Sequence, residues 1–131
     1  MKKLPKPPRV NWIGAPQFFN LNHACRILTE AYGYHVYLVG SAMERRDFRD
    51  VDIRCILDDD EFARLFPDCP RNPQWNARWS LLCSAISEWL STHSSLPVDF
   101  QFQSQTAANR DFGDRPRSAL GFFVSPPDRG V

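Results

Sequence analysis

Two aspartates two residues apart, Asp50 and Asp52, stand in an alternation of charged and apolar side chains, Asp50-Val51-Asp52-Ile53-Arg54-Cys55. A strand repeats its side-chain direction every second residue, so in extended chain Asp50, Asp52 and Arg54 share one face and Val51, Ile53 and Cys55 the other. Aspartate is depleted in strands, and like charges on one face repel unless a cation lies between them. The pair therefore asks for a partner. An arginine would serve, and so would magnesium, which prefers carboxylate oxygens and binds through one or two of them together with substrate phosphates. Upstream, the apolar run Val36-Tyr37-Leu38-Val39 ends in Gly40-Ser41, a small-residue corner that lets backbone amides and a hydroxyl approach phosphate. Alone, Gly-Ser is a tight turn and two aspartates are the wet face of an edge strand. Together they make a recipe for holding a metal-bound triphosphate.

The order of apolar strand, Gly40-Ser41, spacer and Asp50-Val51-Asp52-Ile53 resembles the signature of the nucleotidyltransferase superfamily, the DNA polymerase beta-like fold. That family carries a third acidic residue on a later strand. Leu96-Pro97-Val98-Asp99-Phe100-Gln101-Phe102-Gln103 supplies Asp99, with Gln101 and Gln103 on its face and Val98, Phe100 and Phe102 opposite. The resemblance runs from about Phe18 to Gln103 and is to small stand-alone members found in mobile elements, toxin-antitoxin modules and phages. It implies transfer of a nucleoside monophosphate from ATP or another nucleoside triphosphate to a hydroxyl acceptor, with release of pyrophosphate. By resemblance, Asp50 and Asp52 bind the metal that carries the triphosphate, and Asp99 completes a second metal site and helps deprotonate or orient the acceptor hydroxyl. Two magnesium ions about 4 Å apart suit such an in-line displacement.

Gly40 and Ser41 would face the phosphates. Arg54, on the face of Asp50 and Asp52, is the first candidate for a phosphate clamp, and Arg46 and Arg49 follow, since guanidinium forks suit phosphate and also screen clustered aspartates. A protein side chain, the end of a tRNA and a small molecule all fit as acceptor. The competing reading is a non-catalytic, antitoxin-like module that binds a nucleotide or a partner on the same fold.

These side chains need a frame, and 131 residues provide one domain with a real core. The 16 basic and 15 acidic residues nearly cancel, which argues against a general nucleic-acid coat. Lys2, Lys3, Lys6 and Arg9 form a local basic arm that suits a phosphate backbone. Cys25, Cys55, Cys69 and Cys83 form no CxxC pair, and His23, His35 and His93 lie in no ligand spacing, so neither a zinc site nor a disulfide framework is expected. No apolar run approaches a membrane span, and the chain is expected to be cytoplasmic and reduced.

Residues 1–16, rich in proline and lysine, read as an extended arm, 17–103 as the catalytic unit and 104–131 as a polar tail or lid. Within the unit, Phe18, Leu21, Cys25, Leu28 and Tyr32 mark an amphipathic helix that Gly33 ends. Strands are expected at His35–Val39, Asp50–Leu57 and Val98–Gln103, with a helical turn from Ser41 to about Arg46. Asp58-Asp59-Asp60-Glu61 puts acid at the start of a helix stopped by Pro67. Asn72 and Pro73 look like the cap and first turn of the longest helix, whose stripe of Trp75, Trp79, Leu82, Ile86, Trp89 and Leu90 reads as core rather than a base-stacking platform, with Ser80, Ser84, Ser87 and Ser91 facing elsewhere. The fold class is α/β (α+β): a small mixed sheet with helices mainly on one face, the minimal palm of that family.

Overall fold

A computed structural model describes residues 11–121. Five helices and four strands follow one another as α1 (Gln17–Tyr32), β1 (Val36–Val39), α2 (Ser41–Glu44), β2 (Val51–Leu57), α3 (Asp59–Leu65), α4 (Ala77–Ser94), β3 (Val98–Ser104), α5 (Gln105–Phe112) and β4 (Ser118–Leu120). The sheet has the order β3-β2-β1-β4, with β2 and β3 parallel and both neighbours of β1 antiparallel to it. This is the mixed α and β architecture expected from the pattern.

One face of the sheet is core. Val36, Leu38, Val51, Ile53, Cys55, Val98, Phe100 and Phe102 alternate inward and are buried with Leu21, Cys25 and Leu28 of α1 and Trp79, Cys83, Ile86 and Leu90 of α4. Each buried set follows the period its element requires, two in the strands and three to four in the helices. Gly33 ends α1 in the left-handed conformation at φ 77°, its amide donating to the Thr29 carbonyl at 2.8 Å. Cys25, Cys55 and Cys83 are buried free thiols, and burial pushes each up to about 12.

The helix that follows the prolines begins later than the sequence predicts. Asn72 and Pro73 open a separate 3-10 turn, Pro73–Trp75, and the cap of α4 is Asn76, whose side chain accepts from the Trp79 amide at 2.9 Å. Trp75 therefore lies outside the helical stripe and is 76 % exposed, while Trp79 is core. Of the serines expected to face elsewhere than the core stripe, two bind the sheet. The Phe100 amide donates to Ser87 Oγ at 2.8 Å and the Val98 amide to Ser91 Oγ at 3.0 Å, while both hydroxyls lean back to the carbonyls of the same residues. Trp79 Nε1 donates to the Phe102 carbonyl at 3.0 Å. Four residues of helix rise about 6 Å and two of strand about 6.6 Å, so a helix antiparallel to an edge strand can meet every second outward peptide. In this way α4 closes the free edge of β3.

Within the stretch read as a tail, residues 104–121 include a helix and a strand. Ser104 caps α5 by accepting from the Ala107 amide at 3.1 Å, and β4 adds the fourth strand beside β1. Gly121, at φ 79°, donates its amide to Asn22 Oδ1 at 2.7 Å, and a Cβ there would meet the α1 backbone at 2.8 Å. At the other end Ile13 is buried and the Trp12 amide donates to the Ala42 carbonyl at 2.8 Å, so the end of the proline-rich segment is docked. The basic arm of Lys2, Lys3, Lys6 and Arg9, and the apolar residues Phe122, Phe123 and Val124, lie outside the described residues. No helix among the described residues is long and apolar enough to cross a membrane.

Candidate functional site

The face opposite the core carries the polar side chains of β2 and β3. Parallel pairing makes Asp52 and Asp99 Cα partners, with Arg54 opposite Gln101 one step further along. Two carboxylates thus stand on adjacent strands, and Arg54 binds both. Its Nη2 lies 3.3 Å from Asp99 Oδ2 and 3.9 Å from Asp52 Oδ1. Its Nη1 donates to the carbonyls of Ile53 at 2.9 Å and Asp99 at 2.8 Å, which fixes the guanidinium at 12 % side-chain exposure. The arginine is the partner that repulsion between the aspartates demands.

Asp50 sits differently from the expectation. Strand β2 begins at Val51, so Asp50 is exposed on the approach to the strand rather than in it. Its charge still reaches Asp52. Burial raises the proton affinity of the Asp52 carboxyl; the Arg54 guanidinium opposes the rise, and the charges of Asp99 and Asp50 add to it. Among the described residues no group of three or more His, Cys, Asp or Glu side chains is gathered closely enough to hold a metal ion by itself. Asp52 and Asp99, in register and joined by Arg54, are the carboxylates that could offer oxygens to a hard cation, with the remaining positions left to water and phosphate oxygens, as magnesium prefers.

Gly40 makes room for this arrangement. Val39 pairs with Asp52, and the next residue turns at φ 78°, ψ −155°, a region open essentially to glycine. A Cβ on Gly40 would overlap Asp52 Oδ2 and stand 3.3 Å from Cγ of the same carboxyl. Ser41 opens the four-residue helix α2. Arg46 lies with its guanidinium 5.6 Å from the Trp12 ring centroid, and neither it nor Arg49 walls the space at Asp52. Of the three arginine candidates, Arg54 is the one that walls the cavity at Asp52.

A cavity of about 100 Å³ opens at Asp52, walled by Gly40, Arg54 and Gln103 from the sheet and by Phe112, Arg115 and Arg117 from beyond it. Those last three residues come from the segment read as a tail. Arg117 is held by the carbonyl of Ala108 at 3.2 Å, so α5 positions it. A Ser104 cap before Gln105-Thr106-Ala107-Ala108 was the available signal for that helix, but nothing in the spacing of Arg115 and Arg117 ties them to Asp52. The cavity thus sets the Asp52 carboxylate among the guanidinium groups of Arg54, Arg115 and Arg117, while Asp99 lines a separate groove between β3 and α4. Comparisons with protein-family models, with curated proteins and with solved structures find no significant match to this chain.

Proposed function

We propose that the chain is a magnesium-dependent nucleotidyltransferase that moves a nucleoside monophosphate from a nucleoside triphosphate to a hydroxyl acceptor. The observation that carries the reading is the register of Asp52 with Asp99, beside a glycine corner that leaves space for the Asp52 carboxylate. Asp50, Asp52 and Asp99 would hold the metal, which when bound neutralises phosphate charge and favours ionisation of the acceptor hydroxyl. The acceptor oxygen forms a bond to the α-phosphorus, the bond from that phosphorus to the bridging oxygen breaks, and pyrophosphate leaves with the electron pair. Asp99, 47 % exposed at the edge of the pair, is the carboxylate placed to take the acceptor proton. Arg54 restrains both carboxylates, and Arg115 and Arg117 offer positive charge to an anionic ligand at Asp52. Acceptors of protein, tRNA or small-molecule type all fit this chemistry.

One observation favours a second reading. Arg54, anchored by two carbonyls, already compensates the carboxylates from within, which suits a module that binds a nucleotide or a partner without turnover. Thermal unfolding with each nucleoside triphosphate, with and without magnesium, separates the two. Ligand at about a hundredfold over its dissociation constant adds about 2.7 kcal/mol, about 10 °C for a domain of this size. A magnesium-dependent shift that Asp52→Asn removes, together with pyrophosphate release, supports the transferase. A shift indifferent to magnesium and to Asp52→Asn favours a nucleotide-binding module, and no shift with any nucleotide counts against the transferase and favours a module that binds a partner.

A further inference from the structure

Beyond Asp99 on the same face of β3 stand Gln101 and Gln103, and beside them opens a second cleft of about 470 Å³. Its walls come from α3, α4, β3, α5 and the 69–74 segment, and include Phe62, Trp79, Phe112, Asn72, Gln101 and Gln103. The volume falls in the range of small-molecule sites, and the lining mixes aromatic rings and carboxamides with the charged Asp59, Arg71, Arg110 and Asp111. Among the described residues the side chains of Asn72, Gln101 and Gln103 have no hydrogen-bond partner. A carboxamide carries both donors and acceptors on one plane, which matches the edge of a heterocycle with both kinds of group. Phe112 is 44 % exposed, unusual for a phenyl ring, and it walls both this cleft and the cavity at Asp52. Gln103 walls both as well, so the two spaces adjoin. From Asp99 to Gln103 the strand runs about 13 Å, a span comparable to a nucleotide laid out from phosphate to base.

We propose that this cleft holds a nucleobase, stacked on Phe112 and read along its edge by Gln101 and Gln103, at the far end of the nucleotide whose phosphates lie at Asp52. The inference rests on the transferase reading for its ligand. Base selection then belongs to β3 and α5, within the same small unit that carries the carboxylates.

The test titrates the ¹⁵N-labelled full chain with adenosine, guanosine, cytidine and uridine, free of phosphate and magnesium, while following the side-chain resonances of Asn72, Gln101, Gln103 and the Trp79 indole. One nucleoside should move these resonances saturably and before the rest. Phe112→Ala should weaken that binding by about tenfold, the loss of one stacked ring, and Gln103→Leu should flatten the preference among the four. Asp52→Asn should leave nucleoside binding unchanged. Retained nucleoside binding without any magnesium-dependent triphosphate effect would sink the transferase reading and keep the cleft. The proposal is overturned if no nucleoside moves these resonances, if they move equally in wild type, Phe112→Ala and Gln103→Leu, or if only a single-stranded oligonucleotide moves them. Should either variant fail to fold, the localisation of the shifts in the wild type decides the matter.

Discussion

Replacing Gly40 by alanine perturbs the corner and the carboxylate together, and the two effects can be separated. At φ 78°, ψ −155° an L-residue is held in a region that costs about 1–3 kcal/mol. The new methyl would also overlap Asp52 Oδ2, so the carboxyl must leave its rotamer, for about 0.5–1.5 kcal/mol more. We expect Gly40→Ala to lose about 3 kcal/mol in total, the sum of the two central values, and to melt about 10 °C lower. Urea unfolding of wild type, Gly40→Ala, Asp52→Ala and the double variant gives the partition. Backbone strain should persist in the double variant, whereas the overlap should vanish and appear as a coupling energy of about 1 kcal/mol. A coupling below about 0.3 kcal/mol would mean that Gly40 is not what makes room for the Asp52 carboxylate. A Gly40→Ala variant as stable as wild type would refute the strain argument as well.

Other consequences follow from individual contacts. Ser87→Ala leaves the outward amide and carbonyl of Phe100 without a partner and should cost about 1–3 kcal/mol; Ser87→Ala combined with Ser91→Ala should also promote self-association through the bared β3 edge, read by sedimentation. Asn76→Ala should cost about 1 kcal/mol in thermal unfolding and Asn72→Ala close to nothing; the reverse order would return the start of the helix to Asn72. The raised proton affinity of Asp52 predicts a pH signature. Native protein keeps that proton at pH values where the unfolded chain has lost it, so stability falls as pH rises from the ordinary carboxylate range through the raised value. Asp52→Asn removes the penalty: it should melt above wild type at neutral pH, with the gain vanishing in acid below about pH 4. A variant less stable than wild type at neutral pH would show that pairing with Arg54 outweighs burial.

Local pattern carried much of this molecule. Period two in Val51 to Cys55 and Val98 to Phe102, and period three to four in Leu21 to Leu28, follow from backbone geometry, so the core faces were legible before any coordinates. The same alternation set Asp52, Arg54 and Asp99 on faces that proved to be common. Errors gathered where neighbours in space decide. Asn72 and Asn76 are both competent caps four residues apart, and the packing of Trp79 against β3 selects the second. Asp50 has the sequence neighbours of a strand residue, yet β3 pairing begins at Val51 opposite Val98 and leaves it outside.

What tertiary structure alone decided was the company each charge keeps. Parallel pairing of β2 and β3 is a long-range choice, and only that register sets Asp99 beside Asp52 and puts one guanidinium nitrogen within reach of both. Arg115 and Arg117, distant in sequence from Asp52, reach the cavity beside it because α5 folds back from the end of β3. Side-chain direction along a strand is a local property of the backbone, readable from residue types. The meeting of residues 45 or 65 positions apart depends on which strands pair and which helix returns, and no local period encodes it.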